Sequence, residues 1–137
     1  MDVSRLRQRL REAGRQCDRQ LRTLLEHAPL LRGGVYRLRR RCGKPGCRCT
    51  RGELHETWVW LTREKGVQRL RVVPKGQTAR WREWAAHYRR FRLARRELVR
   101  QHREVLRLLK LLEGARTVAP PAPPGEERDG HGRSGAV

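Results

Sequence analysis

The apolar positions near the start of the chain form a single stripe. Val3, Leu6, Leu10, Ala13, Cys17 and Leu24 fall on alternating three- and four-residue steps. This period places them on one face of a helix, predicted from about Asp2 to Glu26. Arg7, Arg9, Arg11, Arg15 and Arg22 lie off the stripe, and Ala28-Pro29 followed by Gly33-Gly34 ends it. Cys17 sits on the stripe and reads as a small buried hydrophobe rather than a ligand.

The period then changes to two. Residues 35–41 alternate, with Tyr36 and Leu38 on one side and Arg37, Arg39 and Arg41 on the other. That pattern predicts a half-buried strand with a basic outer face. Two further strands follow a cysteine-rich stretch. Thr57–Arg63 carries Trp58, Val59, Trp60 and Leu61, and Val67–Val73 carries Leu70 and Val72. Glu64-Lys65-Gly66 suits a three-residue hairpin loop with glycine in the left-handed position. Such a loop sets Trp60 opposite Leu70 and Trp58 opposite Val72, with Arg63, Arg69 and Arg71 on the other face. A two-residue loop would flip this arrangement.

Pro74-Lys75-Gly76 ends the sheet, and a long helix is predicted from about Thr78 to Glu113, closed by Gly114. Its stripe is Trp81, Trp84, Tyr88, Phe91, Leu98, Val105, Leu109 and Leu112, with Arg95 and His102 at two stripe positions. A stripe of this length exceeds what three strands can cover, so its distal half needs a second helix. The N-terminal helix is the matching partner, packed antiparallel, from the same chain or from a second copy in a homodimer. Beyond Gly114, a Pro/Gly-rich end is expected to be disordered.

The expected architecture is therefore α+β. An N-terminal amphipathic helix (1–32) leads into a small three-stranded antiparallel sheet with a cysteine cluster (33–76). A long amphipathic helix (77–113) and a disordered tail (114–137) follow, residues 1–113 forming one domain.

Charge changes the picture from fold to partner. Among 137 residues there are 34 basic and 14 acidic side chains, a net charge of +20. Thirty of the basic residues are arginine, which a GC-rich genome would favour without any function. The imbalance between signs is not explained that way. Residues 33–76 hold 12 basic and 3 acidic residues and residues 77–113 hold 11 and 4, whereas residues 114–137 balance at 3 and 3. An uncompensated excess in the structured part repels itself, and a polyanion relieves that repulsion while releasing its own counterions. Nucleic acid is the expected partner, DNA ahead of RNA. Arg37, Arg39, Arg40, Arg41, Lys44, Arg48, Arg69 and Arg71 are the expected contacts. An anionic membrane surface is a weaker alternative, and no stretch is apolar enough to span a bilayer. With no signal peptide recognised at the N-terminus, a reducing cytoplasm is the expected setting, where cysteines point to metal or core packing before disulfides.

Residues 39–49 read RRRCGKPGCRC. Cys42, Cys47 and Cys49 stand in a C-x4-C-x-C spacing, with Gly43, Pro45 and Gly46 permitting a tight turn. Three thiolates need a fourth ligand for a closed tetrahedral zinc site, and His55, at the start of the next strand, is the candidate. The competing reading is a reduced, glycine-rich turn with incidental cysteines. Trp58 and Trp60 suit a base-stacking platform less well than core packing. No paired carboxylates, phosphate-cradling loop or Ser/His/Asp set is present, so no enzyme is expected. Cys47 as a nucleophile with His55 as base would use residues that zinc explains more fully. The runner-up to nucleic-acid binding is an adaptor or RNA-binding interaction protein that docks an acidic partner.

The stretch from Tyr36 to Pro74 resembles an uncharacterised family of small basic prokaryotic proteins, a domain of unknown function. The family pattern is a tyrosine, a run of arginines, CGKPGCRC, a GE-containing link, HGP before an aromatic strand, and a VP dipeptide before a long helix. Tyr36, Arg40, Arg41, Cys42, Gly43, Lys44, Pro45, Gly46, Cys47, Arg48, Cys49, Gly52, Glu53, His55, Trp58, Trp60, Leu61, Val73 and Pro74 match it. Glu56-Thr57 departs from it, replacing Gly-Pro after the histidine. The resemblance implies no established activity; an accessory role beside a mobile element, or a regulatory one, is the expectation it adds.

Overall fold

The computed structural model describes residues 2–125. In chain order it contains α1 (Val3–Leu24), β1 (Gly34–Arg40), β2 (His55–Glu64), β3 (Val67–Val72) and α2 (Thr78–Arg116). This is the α+β arrangement that the periodicities imply. Of the expected tail, residues 126–137 lie outside the described residues. Helix α2 runs through Gly114 to Arg116, where the amide and hydroxyl of Thr117 both donate to the carbonyl of Glu113, at 2.9 and 2.7 Å.

The two helices pack antiparallel within one chain. Arg9 of α1 reaches Glu104 at 3.2 Å, and Glu26, just past its end, reaches Arg90 at 2.9 Å. These two pairs fix the register and bring Leu6 and Leu108, each 1% exposed, to the same level of the seam. Along α2 the seam passes through Ala94, Gln101 and Leu108 instead of the expected Arg95, His102 and Leu109, which are all exposed. Leu98, Val105 and Leu112 of the expected stripe stay half-buried, so the rotation is less than the roughly 100° of one residue. That rotation keeps the Arg95 guanidinium in water, where burial would strip its hydration, and puts the small Ala94 where the helices approach.

The sheet is antiparallel in the order β1-β2-β3. Its second hairpin differs from expectation. Lys65 (φ 49°) and Gly66 (φ 79°) form the turn alone, and Glu64 already pairs with Val67. Two successive positive φ angles give a two-residue turn whose twist matches the strands. Val59 therefore pairs with Val72, Leu61 with Leu70, Trp60 with Arg71 and Thr62 with Arg69. Every expected pairing moves, and Leu70 and Val72 leave the tryptophan face.

Because paired residues share a face, Trp58 and Trp60 lie on the same side as Arg37, Arg39, Arg69 and Arg71. This side meets α2. Arg82 stacks 4.9 Å from the Trp58 ring centre, and Val35 lines a cavity with Ala85 and Ala86. The expected division into a buried apolar face and a basic outer face is thus overturned. The arginines flank the half-buried tryptophans, while Tyr36, Leu70 and Val72 are exposed on the other side around a buried Val59.

The segment between α1 and β1 is tied near its end to both α2 and the sheet. The Leu31 amide donates to the Trp84 carbonyl at 3.1 Å, and the Trp60 indole donates to the Arg32 carbonyl at 2.7 Å. Gly33 follows with φ 93°, and a Cβ there would collide with the carbonyl of Leu61. Only glycine fits where these two backbones meet.

Candidate metal centre

The last rung of the β1–β2 ladder pairs Arg40 with His55. The intervening residues therefore leave and re-enter the sheet at one point, which brings a ligand from each end of the excursion into reach. Within it, Lys44-Pro45-Gly46-Cys47 makes a turn closed by the Cys47 amide on the Lys44 carbonyl, 3.3 Å. Proline presets the second position and Gly46, at φ 83°, supplies the left-handed third. A short 3₁₀ turn, Arg48–Arg51, follows. The amide and hydroxyl of Thr50 both donate to the Cys47 carbonyl, at 3.1 and 2.6 Å. This second turn folds Cys49 inward until it is fully buried, and the Cys42 amide points at its sulfur, 3.4 Å away.

The result is a compact donor set. The sulfurs of Cys42 and Cys49 are 3.5 Å apart, and the sulfur of Cys47 is 3.1 Å from Nε2 of His55. All four ligand atoms of Cys42, Cys47, Cys49 and His55 lie within 4.8 Å of one another, close enough to hold a metal ion. A tetrahedral ion with bonds of about 2.3 Å to sulfur separates its sulfurs by about 3.8 Å, so these donors need little movement to close on zinc. All four cysteines are free thiols, and Cys17 on α1 stands outside the group.

Local electrostatics prepare the set unequally. A backbone hydrogen bond from Cys49, then the His55 ring, then the Cys42 and Cys49 thiols lower the Cys47 thiol to about 6. Cys42 moves the other way. A backbone hydrogen bond from Lys44 pulls its thiol down, but the neighbouring Cys47 and Cys49 sulfurs outweigh it.

The basic residues expected to contact nucleic acid divide into two groups. Arg40, Arg41, Lys44 and Arg48 surround the cysteine turn, exposed and without an acidic partner among the described residues. The other four lie on the tryptophan face and are engaged. Glu56 is shared by Arg37 and Arg39 at 3.7 and 3.0 Å, Arg69 meets Glu64 at 3.5 Å, and Arg71 lies 6.0 Å from the Trp60 ring centre. Arg51, not among the contacts expected from the sequence, joins the exposed group through the 3₁₀ turn. Its position two residues after Cys49 was the available signal.

Taken together, these features define a small α+β protein in which a helical hairpin braces a sheet carrying a Cys3His turn. The family model described as "Domain of unknown function (DUF6788)" matches residues 4–83, more than half of the chain, and the chain belongs to that family. The match covers α1, the sheet and the first turn of α2. Searches of curated proteins and of solved structures find no match. No helix among the described residues is long and apolar enough to cross a membrane.

Proposed function

We propose that this protein is a non-catalytic, zinc-stapled nucleic-acid-binding module that grips phosphates, with DNA as its principal partner. Zinc held by Cys42, Cys47, Cys49 and His55 fixes the turn. The observation that carries the reading is the group of five exposed cations around those ligands, Arg40, Arg41, Lys44, Arg48 and Arg51, none with an acidic partner among the described residues. A turn of 14 residues between two strands would otherwise be too mobile to present its charges in a fixed pattern. On the sheet, a polyanion must compete with Glu56 and Glu64 for the arginines, so the cysteine turn is the preferred contact there.

The close Cys47–His55 pair also suits a thiol nucleophile beside a base. Both atoms are required by the tetrahedral site, and a closed site leaves no open position for a catalytic water. One observation favours the adaptor reading as an alternative: the exposed Tyr36, Leu70 and Val72, on a surface otherwise rich in cations, suit an acidic protein with apolar side chains.

The test joins metal to binding. Protein purified from cells should carry one zinc per chain, and Cys47→Ser should lose it while Cys17→Ser retains it. If the five turn cations each neutralise one phosphate, their share of the slope of log affinity against log salt on duplex DNA is about −4.5. Cys47→Ser should lose most of that share. Metal-free protein with the full slope would sever zinc from binding, and absence of binding at low salt would hand the case to the acidic-partner reading.

A further inference from the structure

The charges of α2 are sorted by position around the helix. Arg89, Arg92, Arg96, Arg100, Arg103, Arg107 and Lys110 follow one another at steps of three or four residues, a continuous exposed stripe containing no acid. The acids of this region, Glu97 and Glu104, stand beside the seam. They bind Arg100 and Arg107 one turn on, and Glu104 also meets Arg9 of α1. Arg92 rests against the Tyr88 ring, 6.0 Å from its centre. Four members have no acidic or aromatic partner among the described residues: Arg89, Arg96, Arg103 and Lys110, spaced at seven-residue intervals.

Arg96, Arg103 and Lys110 each lie two residues beyond a seam position, namely Ala94, Gln101 and Leu108, and Arg89 continues their column one heptad earlier. Two residues are a rotation of about 200°, so the column points away from α1. Helix α1 differs. Its acids Glu12 and Asp18 are interspersed with its arginines, and Glu12 pairs with Arg15 at 2.6 Å. Genome-driven arginine use would spread cations over both helices without regard to face. Sorting on one helix alone indicates a surface shaped for an extended polyanion.

We infer that the outer face of α2, through Arg89, Arg96, Arg103 and Lys110, is a contact track for the sugar–phosphate backbone of duplex nucleic acid. This inference rests on the nucleic-acid reading above and adds a second surface, which lies outside the residues 4–83 matched by the family model. From Arg89 to Lys110 the track is about 31 Å long at 1.5 Å per residue. It therefore runs alongside about nine base pairs at 3.4 Å each. Single strands are usually held by aromatic stacking as well as charge. The aromatics of α2, namely Trp81, Trp84, Tyr88 and Phe91, are all partly buried on its inner side, so this face offers charge without a stacking platform. A straight, regularly spaced cation column fits the stiff backbone of a duplex.

The experiment measures binding of the full, zinc-loaded chain to a labelled duplex of about 24 base pairs and to the corresponding single strand. Salt is varied between roughly 50 and 300 mM, where the counterion slope is well defined. Arg96→Ala/Arg103→Ala/Lys110→Ala is compared with wild type and with Arg41→Ala/Arg48→Ala in the cysteine turn. The helix variant should melt no lower than the wild type, because all three side chains are exposed and alanine favours helix. Its slope on the duplex should fall by about 2.7, three contacts at 0.9 each, while the duplex remains the tighter ligand of the wild type. A wild-type slope in the helix variant, with wild-type binding intact, overturns the track and leaves the nucleic-acid reading standing. Failure of the wild type to bind either nucleic acid at low salt overturns both. Tighter binding of the single strand, or of polyglutamate, lost in the helix variant, reassigns the surface and overturns the duplex inference.

Discussion

Cys47 joins three local devices: its amide closes the Lys44 turn, its carbonyl anchors Thr50, and its sulfur approaches His55. The same neighbours favour its charged form, bringing the thiol from 9.0 to about 6. The sign follows directly. A thiol lowered on folding is held as thiolate at neutral pH, and its contribution to the folded turn is present above pH 9 and lost as pH falls through about 6. Metal then displaces fewer protons on binding at pH 7. In metal-free protein, iodoacetamide should modify Cys47 first, with a rate rising through about pH 6 rather than near 9. Saturating zinc should suppress the reaction, and the buried Cys49 should react last. Mass spectrometry of the modified chain decides this; preferential labelling of Cys17, or no protection by metal, would contradict the assignment of Cys47.

At the scale of elements, the helical seam makes a sharper claim than helix content alone. Leu108 is 1% exposed and Leu109 is 46% exposed, although they are adjacent and chemically identical. Leu108→Ala should cost about 2–5 kcal/mol in urea unfolding, and Leu109→Ala well under half as much. Equal costs would mean that the helix is rotated from the position described. This contrast also shows what was legible in the sequence. Alternating three- and four-residue steps located both helices and their antiparallel pairing, and spacing and donor chemistry picked out the four residues that could hold a metal ion. The rotation of α2 was not legible, because Arg95 and Leu109 fit a helical stripe as well as Ala94 and Leu108 do. Desolvation of Arg95 decides between them only once α1 is in contact. The sheet register failed for a similar reason. Glu64-Lys65-Gly66 and Lys65-Gly66 are both permissible hairpin loops, and the choice lies in the backbone angle of Lys65, which composition does not reveal. The two groups of arginines likewise look alike in sequence; strand pairing, which sets Arg39 opposite Glu56 and Arg71 opposite Trp60, marks the engaged ones.

For the whole molecule, the decisive quantity is charge without counterpart. With 34 basic and 14 acidic residues, 20 positive charges are left unneutralised. The ion pairs that do form are exposed, and pairs of that kind contribute about 0–1 kcal/mol each. Repulsion among the remaining cations therefore works against the fold, particularly along α2 and around the cysteine turn, where like charges recur within one or two helical turns. Salt acts on both terms. Its screening length contracts from about 30 Å at 0.01 M to about 8 Å at 0.15 M, which weakens repulsion across the molecule more than attraction within a contact pair. Zinc-loaded protein should consequently gain about 1–2 kcal/mol of unfolding free energy over that range of sodium chloride, because net self-repulsion opposes the compact state. Arg96→Ala/Arg103→Ala/Lys110→Ala should show a smaller gain, starting from higher stability at low salt. Removal of residues 117–137, which carry two basic and three acidic side chains, should leave the gain unchanged. Urea titrations at fixed zinc measure all three; a wild type that loses stability as salt rises would show that its ion pairs outweigh its repulsion, and the surplus charge would then need no polyanion to offset it.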